Sequence, residues 1–98
     1  MEYELQLDEL LWRAKRRYTR RLFAIERHGR IAALMARKRI RLQQEQFPAD
    51  AAELDIRLAH QLRDIDESTA EKHERNLSVF LFRIREIHAG RWTNLGFS

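Results

Sequence analysis

Apolar residues in the first half of the chain recur at steps of three and four, the spacing of one face of an amphipathic helix. At about 100° per residue they fall within a stripe of roughly 80°, so the pattern predicts one long helix that buries this stripe. Acids at positions 2, 4, 8 and 9 complement the positive end of a helix dipole and place the helix start near Glu4. The stripe comprises Leu7, Leu11, Ala14, Tyr18, Leu22, Ile25, Gly29, Ala32 and Ala36.

The second half of the chain shows two apolar stripes separated by a polar stretch. The first comprises Ala51, Leu54, Leu58, Leu62 and Ile65, and the second comprises Leu77, Phe80, Leu81, Ile84 and Ile87. At about 100° per residue the second stripe is rotated from the first by roughly 60–80°. Between them, Ser68 and Glu71 have the spacing of a capping box. The pattern therefore predicts a kink or a helix break near residues 66–70.

Pro48 marks a reversal between the two halves, because proline disfavours helix at the preceding residue and suits a first helical turn. We predict an all-α protein, a single domain dominated by a long antiparallel helical hairpin. Kinks or helix ends near Gly29 and Ser68, folding the hairpin into a small bundle, remain an alternative. Folding about Pro48 would bring Gly29 level with residue 67. Within the domain, residues 1–98, the predicted parts are an arm over about 5–46, a turn over 47–50, an arm over about 50–89 and a tail over 90–98, set off by a helix stop at Gly90.

Composition excludes several classes of protein. The 98 residues contain no cysteine, so the chain has no disulfide, thiolate nucleophile or cysteine-ligated zinc. The N-terminus lacks the cationic and then apolar order of a signal peptide, and no apolar run is long enough to cross a bilayer. We predict a soluble cytoplasmic protein that does not bind membranes and carries no cofactor.

Charge is distributed very unevenly along the chain. Between Arg13 and Arg41 there are twelve basic residues and one acid, Glu26, so this stretch carries +11 (twelve minus one) while the whole chain carries +4. Guanidinium groups bind phosphate oxygens in a bidentate manner. We therefore predict that this helix face binds nucleic acid backbone without sequence readout, within a larger nucleoprotein assembly. The predicted contact residues are Arg13, Arg16, Arg17, Arg20, Arg27, Arg30, Arg37, Lys38 and Arg41.

Four large apolar residues do not join the main stripe of the first helix. Trp12, Phe23, Ile31 and Leu34 project among the arginines on the opposite side. One interpretation is a helix covered on two sides within a bundle, and another is a surface that faces a partner. The rival function is therefore a protein-binding adaptor or inhibitor, which uses these residues against an acidic protein partner or in self-association.

Catalysis and metal binding lack a supporting motif. The four histidines are widely spaced, and only His60 has an acid, Asp64, one helical turn further along the chain. A metal site needs three or four ligands, and no hydroxyl stands in a nucleophile elbow or phosphate loop. We predict no catalytic residues, no metal site and no enzymatic activity.

The turn resembles the hairpin tip of the DksA/TraR proteins, which enter the secondary channel of RNA polymerase. The similarity rests on Phe47-Pro48-Ala49-Asp50-Ala51-Ala52, whose Asp50-Ala51-Ala52 matches the Asp-x-Ala tip pattern of that family. The run from Ile87 to Trp92 is similar to their junction between coiled coil and zinc finger. This resemblance implies a third function, a polymerase regulator acting through Asp50. The zinc cysteines of the family are absent, and the first arm is unusually basic.

Overall fold

The computed structural model describes residues 2–90, with side chains from Gln6 onward, as two α-helices joined by a short turn. Helix α1 spans Glu2–Gln46 and helix α2 spans Ala51–His88. The predicted all-α helical hairpin is confirmed. Residues 91–98 of the predicted tail lie outside the described residues.

The reversal between the helices is a single 3-10 turn over Pro48–Asp50. Phe47 leaves the helical region, with φ −130° and ψ 72°, as expected for a residue before proline. The Phe47 amide donates to the Gln43 carbonyl at 2.8 Å, and the Asp50 amide donates to the Phe47 carbonyl at 3.0 Å. Gln44 Nε2 donates to the Ala51 carbonyl at 3.0 Å and to Asp55 Oδ1 at 2.6 Å. These bonds connect the end of α1 to the start of α2.

The predicted helix stop at Gly90 is confirmed. The Ala89 amide bonds to the Arg85 carbonyl and the Gly90 amide to the Ile87 carbonyl, each at 3.0 Å. Gly90 has a φ of 77°, the left-handed conformation that glycine adopts at low cost after a helix.

Both helices continue through the places where we considered a helix end. Gly29 lies inside α1, and the stretch around Ser68 lies inside α2. Leu77 and Leu81, which we placed on the buried stripe, are 43% and 56% exposed. The buried face continues instead through Asn76, which is 6% exposed. Assigning two exposed leucines to the core therefore accounts for part of the rotation between the two stripes.

The buried positions of α2 repeat every 11 residues. Leu54, Ile65, Asn76 and Ile87 follow this interval and all face inward. Helix α1 shows the same interval, in Tyr18, Gly29 and Ile40 and again in Leu11, Leu22 and Ala33. Eleven residues in three turns correspond to about 3.67 residues per turn, close to the α-helical value. The spacing predicted Ala32 on the buried stripe, but Ala32 is exposed and Ala33 is half-buried in its place. Alanine, glycine and asparagine at repeat positions hide the period.

The chain forms two compact units. We call Met1–Phe23 with His73–Ser98 the terminal unit, and Ala24–Lys72 the turn unit. In the terminal unit, Leu10, Ala14 and Ile87 form the buried cluster, against which Leu7, Leu11, Phe80 and Ile84 pack. The rings of Tyr18 and Phe80 lie 4.8 Å apart, and Asn76 Nδ2 donates to the Tyr18 carbonyl at 3.1 Å.

In the turn unit the two helices pack closely at Gly29. A Cβ atom added there would lie 2.8 Å from Thr69 Oγ1. Gly29 thus faces Thr69, two residues from the level that we predicted. Ala36, Ile40 and Leu54 are the buried apolar residues of this unit.

Candidate nucleic-acid interface

All the residues that the sequence assigned to the binding face, and Asp50 at the turn, are exposed. Trp12 and Phe23 are 57% and 64% exposed, and Ile31 and Leu34 are 47% and 49% exposed. No other part of the chain that the structure describes covers this side of α1. The interpretation of a helix enclosed on two sides within this chain is therefore wrong, because the hairpin contributes only one neighbouring helix.

A concave site lies on the terminal unit, with a volume of about 580 Å³. The arginines that line it come from two helices, four from α1 and Arg83 from α2. The four arginines of α1 reach the same site because residues three or four apart in a helix lie on the same side of it. The lining residues are Leu10, Trp12, Arg13, Ala14, Arg16, Arg17, Arg20, Arg83 and Ile87.

Arg83 is the most constrained charge of this site. Its side chain is half-buried, and burial lowers its pKa, with repulsion from Arg17 and then Arg21 adding to the effect. Among the described residues none of these three arginines forms an ion pair. We call Arg13, Arg16, Arg17, Arg20, Arg21 and Arg83 the arginine cluster. The fold holds like charges close together there, an arrangement that an anion would stabilise.

Sequence reasoning missed Arg83 and Arg21. Arg83 lies within the apolar run from Leu77 to Ile84 on α2, while we considered only basic residues of α1. An arginine inside an amphipathic apolar run is the signal that could have identified it. Arg21 lies at the edge of the main apolar stripe of α1, so it was left out of the opposite face.

Trp12 lies beside the cluster. The Arg16 guanidinium carbon lies 5.2 Å from the centre of the Trp12 ring, within the range of a cation–π interaction. Arg13 is held by Glu9, whose Oε1 lies 2.6 Å from Arg13 Nη2. The site thus combines an exposed aromatic ring with several guanidinium groups, as in surfaces that bind phosphate and stack on bases.

The remaining predicted residues do not line this site. Phe23 belongs to the terminal unit but does not line the cavity, and Asp50 lies at the turn. A second, smaller concavity of about 290 Å³ lies beside the turn and includes Phe47 and Asp50. The predicted residues that belong to the turn unit are Arg27, Arg30, Ile31, Leu34, Arg37, Lys38 and Arg41.

The described residues contain no group of three metal-ligating side chains that could hold a metal ion. Neither helix, over the residues described, has a segment both long and apolar enough to span a membrane. Searches of family models, curated proteins and solved structures find no match to this chain.

Proposed function

We propose that this protein is a non-enzymatic helical subunit that binds nucleic acid backbone through the arginine cluster of its terminal unit. One observation carries the proposal: Arg83 of α2 and Arg17 of α1 line the same cavity, Arg83 is repelled by Arg17 and Arg21, and none of the three forms an ion pair among the described residues. Bringing these guanidinium groups together costs free energy in the free protein. Phosphate oxygens would offset that cost through bidentate, charge-assisted hydrogen bonds.

The extent of the cluster favours a polymer over a small anion. With a rise of about 1.5 Å per residue, the seven steps along α1 from Arg13 to Arg20 extend for about 10 Å. One strand of a duplex advances about 3.4 Å per phosphate, so this length matches about three phosphates. Contacts of this kind hold the backbone in place and do not read sequence. Trp12 is available to stack on a base of a single strand.

The test is a salt series of binding to short single-stranded and double-stranded nucleic acids. We expect the logarithm of the binding constant to fall linearly with the logarithm of salt concentration. Each lost phosphate contact should reduce that slope by about 0.7 to 0.9. Arg16→Gln, Arg17→Gln and Arg20→Gln in one chain should therefore reduce the slope by about 2 to 3. Unchanged affinity in this triple variant would overturn the proposal.

A matched control separates the arginine cluster from net charge. Arg57→Gln, Arg63→Gln and Lys72→Gln remove the same three charges from exposed positions of α2 in the turn unit. We expect this variant to retain most of the affinity and the slope of the wild type. If both triple variants weaken binding equally, the interaction depends on overall charge rather than on the cluster.

A second candidate function is a protein-binding adaptor or inhibitor with an acidic partner. The exposed aromatic rings favour it, since Phe23 is 64% exposed and lies one helical turn from Arg20 and Arg27. Aromatic and arginine side chains are enriched at the centres of protein interfaces. In that case Phe23→Ala should weaken partner binding much more than added salt does, whereas nucleic acid binding should show the opposite order.

A further inference from the structure

The outward side of the turn unit, like its inward side, carries several large apolar side chains. Ala36, Ile40 and Leu54 are buried in this unit, whereas Ile31, Leu34, Met35, Leu42, Phe47 and Ile56 are 47% to 61% exposed. The stability of helices in proteins comes mainly from packing of an apolar face. A unit with this balance exposes an apolar surface of the kind that marks an interaction site.

The exposed residues of α1 in this unit form one stripe. Ile31, Leu34, Met35 and Leu42 are separated by steps of three, four and seven, so they share a helix face. Leu42 follows Ile31 by 11 residues, the interval of the buried face of the hairpin. We call these four residues the outer stripe. Its regular helical period is that of a surface that packs against another helix.

Charge identifies which helix would pack there. In the turn unit, α1 carries six basic residues and two acids, a net charge of +4 (six minus two). Over the same unit α2 carries six acids and three basic residues, a net charge of −3 (three minus six). These charged side chains are all exposed, and no ion pair joins α1 to α2 within residues 24–72. Each molecule therefore presents one basic and one acidic helix side that do not neutralise each other.

We propose that a second copy of this chain packs on the turn unit, with the outer stripe of α1 against the outward side of α2 of the partner copy. A two-fold axis makes this contact twice, because the basic helix of each copy then meets the acidic helix of the other. The outward side of α2 can also accept large side chains of a partner helix. Ala52, Ile56 and Ala59 follow each other there at steps of four and three and are exposed, and two of the three are small. Small residues opposite large ones let helices approach closely.

This interface is separate from the proposed nucleic-acid site. The outer stripe and the acidic side of α2 belong to the turn unit, whereas the arginine cluster belongs to the terminal unit. Association through the turn unit therefore does not depend on the proposed function. Each can fail in experiment without the other.

The first test is the molar mass of the nuclease-treated full chain by light scattering over a range of concentrations. We expect twice the chain mass of 11.9 kDa for the wild type. Ile31→Glu with Leu42→Glu should give the mass of one chain. The control, Leu77→Glu with Leu81→Glu, alters exposed leucines of the terminal unit and should leave the mass doubled. A wild type that keeps the mass of one chain at every concentration would overturn the proposal.

The second test reverses the charges of α1 in one variant and of α2 in another. Its positive result, a heterodimer in the mixture, does not depend on either variant being stable as a monomer. One variant carries Arg30→Glu, Arg37→Glu and Arg41→Glu on α1, and the other carries Asp66→Lys, Glu67→Lys and Glu71→Lys on α2. Each alone should fail to dimerise, because the packed helices then repel each other. An equal mixture should form a heterodimer, since each basic helix again meets an acidic one. If the α2 variant dimerises alone, or if the mixture forms no heterodimer, then α2 of a second copy is not the occupant.

Discussion

At the residue scale, we expect Arg83 to favour the proposed binding of nucleic acid and to lower the stability of the free protein. The side chain is half-buried, and its pKa is lowered by burial and by repulsion from Arg17 and Arg21. A guanidinium group stays charged at neutral pH, so this repulsion is present under ordinary conditions. Sites that bind ligands often keep such unfavourable arrangements when free.

We predict that Arg83→Leu raises the temperature of thermal unfolding and lowers the affinity for nucleic acid. The gain in unfolding temperature should be largest at low salt, since salt screens the repulsion that the substitution removes. Circular dichroism melts at two salt concentrations measure the first effect, and the binding series measures the second. Arg85→Leu, an exposed change on the same helix, is the control. A lower unfolding temperature for Arg83→Leu than for the wild type would contradict this prediction.

Gly29 is a second position at which the packing of the two helices decides which residue fits. Alanine is favoured over glycine within a helix by about 1 kcal/mol. Here, however, the new Cβ would meet Thr69 Oγ1 at 2.8 Å, and this hydroxyl donates to the Ile65 carbonyl at 2.8 Å. Rotating the threonine away would lose that bond, and overpacking a tight contact costs about 1–3 kcal/mol.

We therefore predict that Gly29→Ala lowers the free energy of unfolding despite its higher helix propensity. Thr69→Ala in the same chain should recover the loss, because the obstructing hydroxyl is gone. Urea denaturation of both single variants and the double variant gives the coupling energy between the two positions. If Gly29→Ala alone stabilises the chain, the helices do not approach closely at this level.

At the element scale, the alignment of α1 with α2 in the terminal unit depends on a polar residue in an apolar face. Asn76 is 6% exposed and occupies a position of the 11-residue repeat. Its amide donates at 3.1 Å to the Tyr18 carbonyl, which lies 58 residues away in the sequence. A single buried asparagine between packed helices sets their register at a cost in stability.

We expect Asn76→Leu to raise the unfolding temperature and to weaken the selection of a single register. The leucine buries apolar surface at this position and removes the need to satisfy a buried amide. Thermal melts report the stability, and the number of amide signals in an NMR correlation spectrum reports the register. More signals than residues would show several alignments, whereas a lower unfolding temperature with one set of signals would contradict the prediction.

Gln44 acts at the other end of the hairpin. Its side-chain amide bonds to both the Ala51 carbonyl and Asp55 Oδ1 across the turn. Gln44→Leu removes both bonds and leaves an apolar side chain that is one atom shorter, so we expect a loss of about 1–2 kcal/mol of stability. Urea denaturation measures it, with the exposed Gln46→Leu as the control. Equal stability of the two variants would indicate that the bonds across the turn contribute little.

At the scale of the whole molecule, the two proposals assign the two compact units different roles. A variant with Arg16→Gln, Arg17→Gln and Arg20→Gln should keep the doubled molar mass while losing affinity for nucleic acid. A variant with Ile31→Glu and Leu42→Glu should bind a short nucleic acid as the wild type does. On a longer one it should bind less tightly, because two linked sites raise the effective concentration of the second contact. Loss of both properties in either variant would contradict this division.

Several features of this protein follow from local sequence alone. The helices follow from apolar spacing, the turn from Pro48, and the helix stop from Gly90 in its left-handed conformation. In each case the physical cause acts within a few residues, through backbone sterics or the helical period. Sequence also identified the exposed basic face, because charged side chains are rarely buried.

Other features depended on the partner helix, so only the tertiary structure decided them. The inward position of Asn76 in place of Leu77 depends on contact with Tyr18, and the repulsion at Arg83 depends on arginines of α1. The outer stripe is likewise exposed because no other element among the described residues covers it. Two amphipathic helices can bury one side of each other, and sequence periodicity does not state which of several apolar sides that will be.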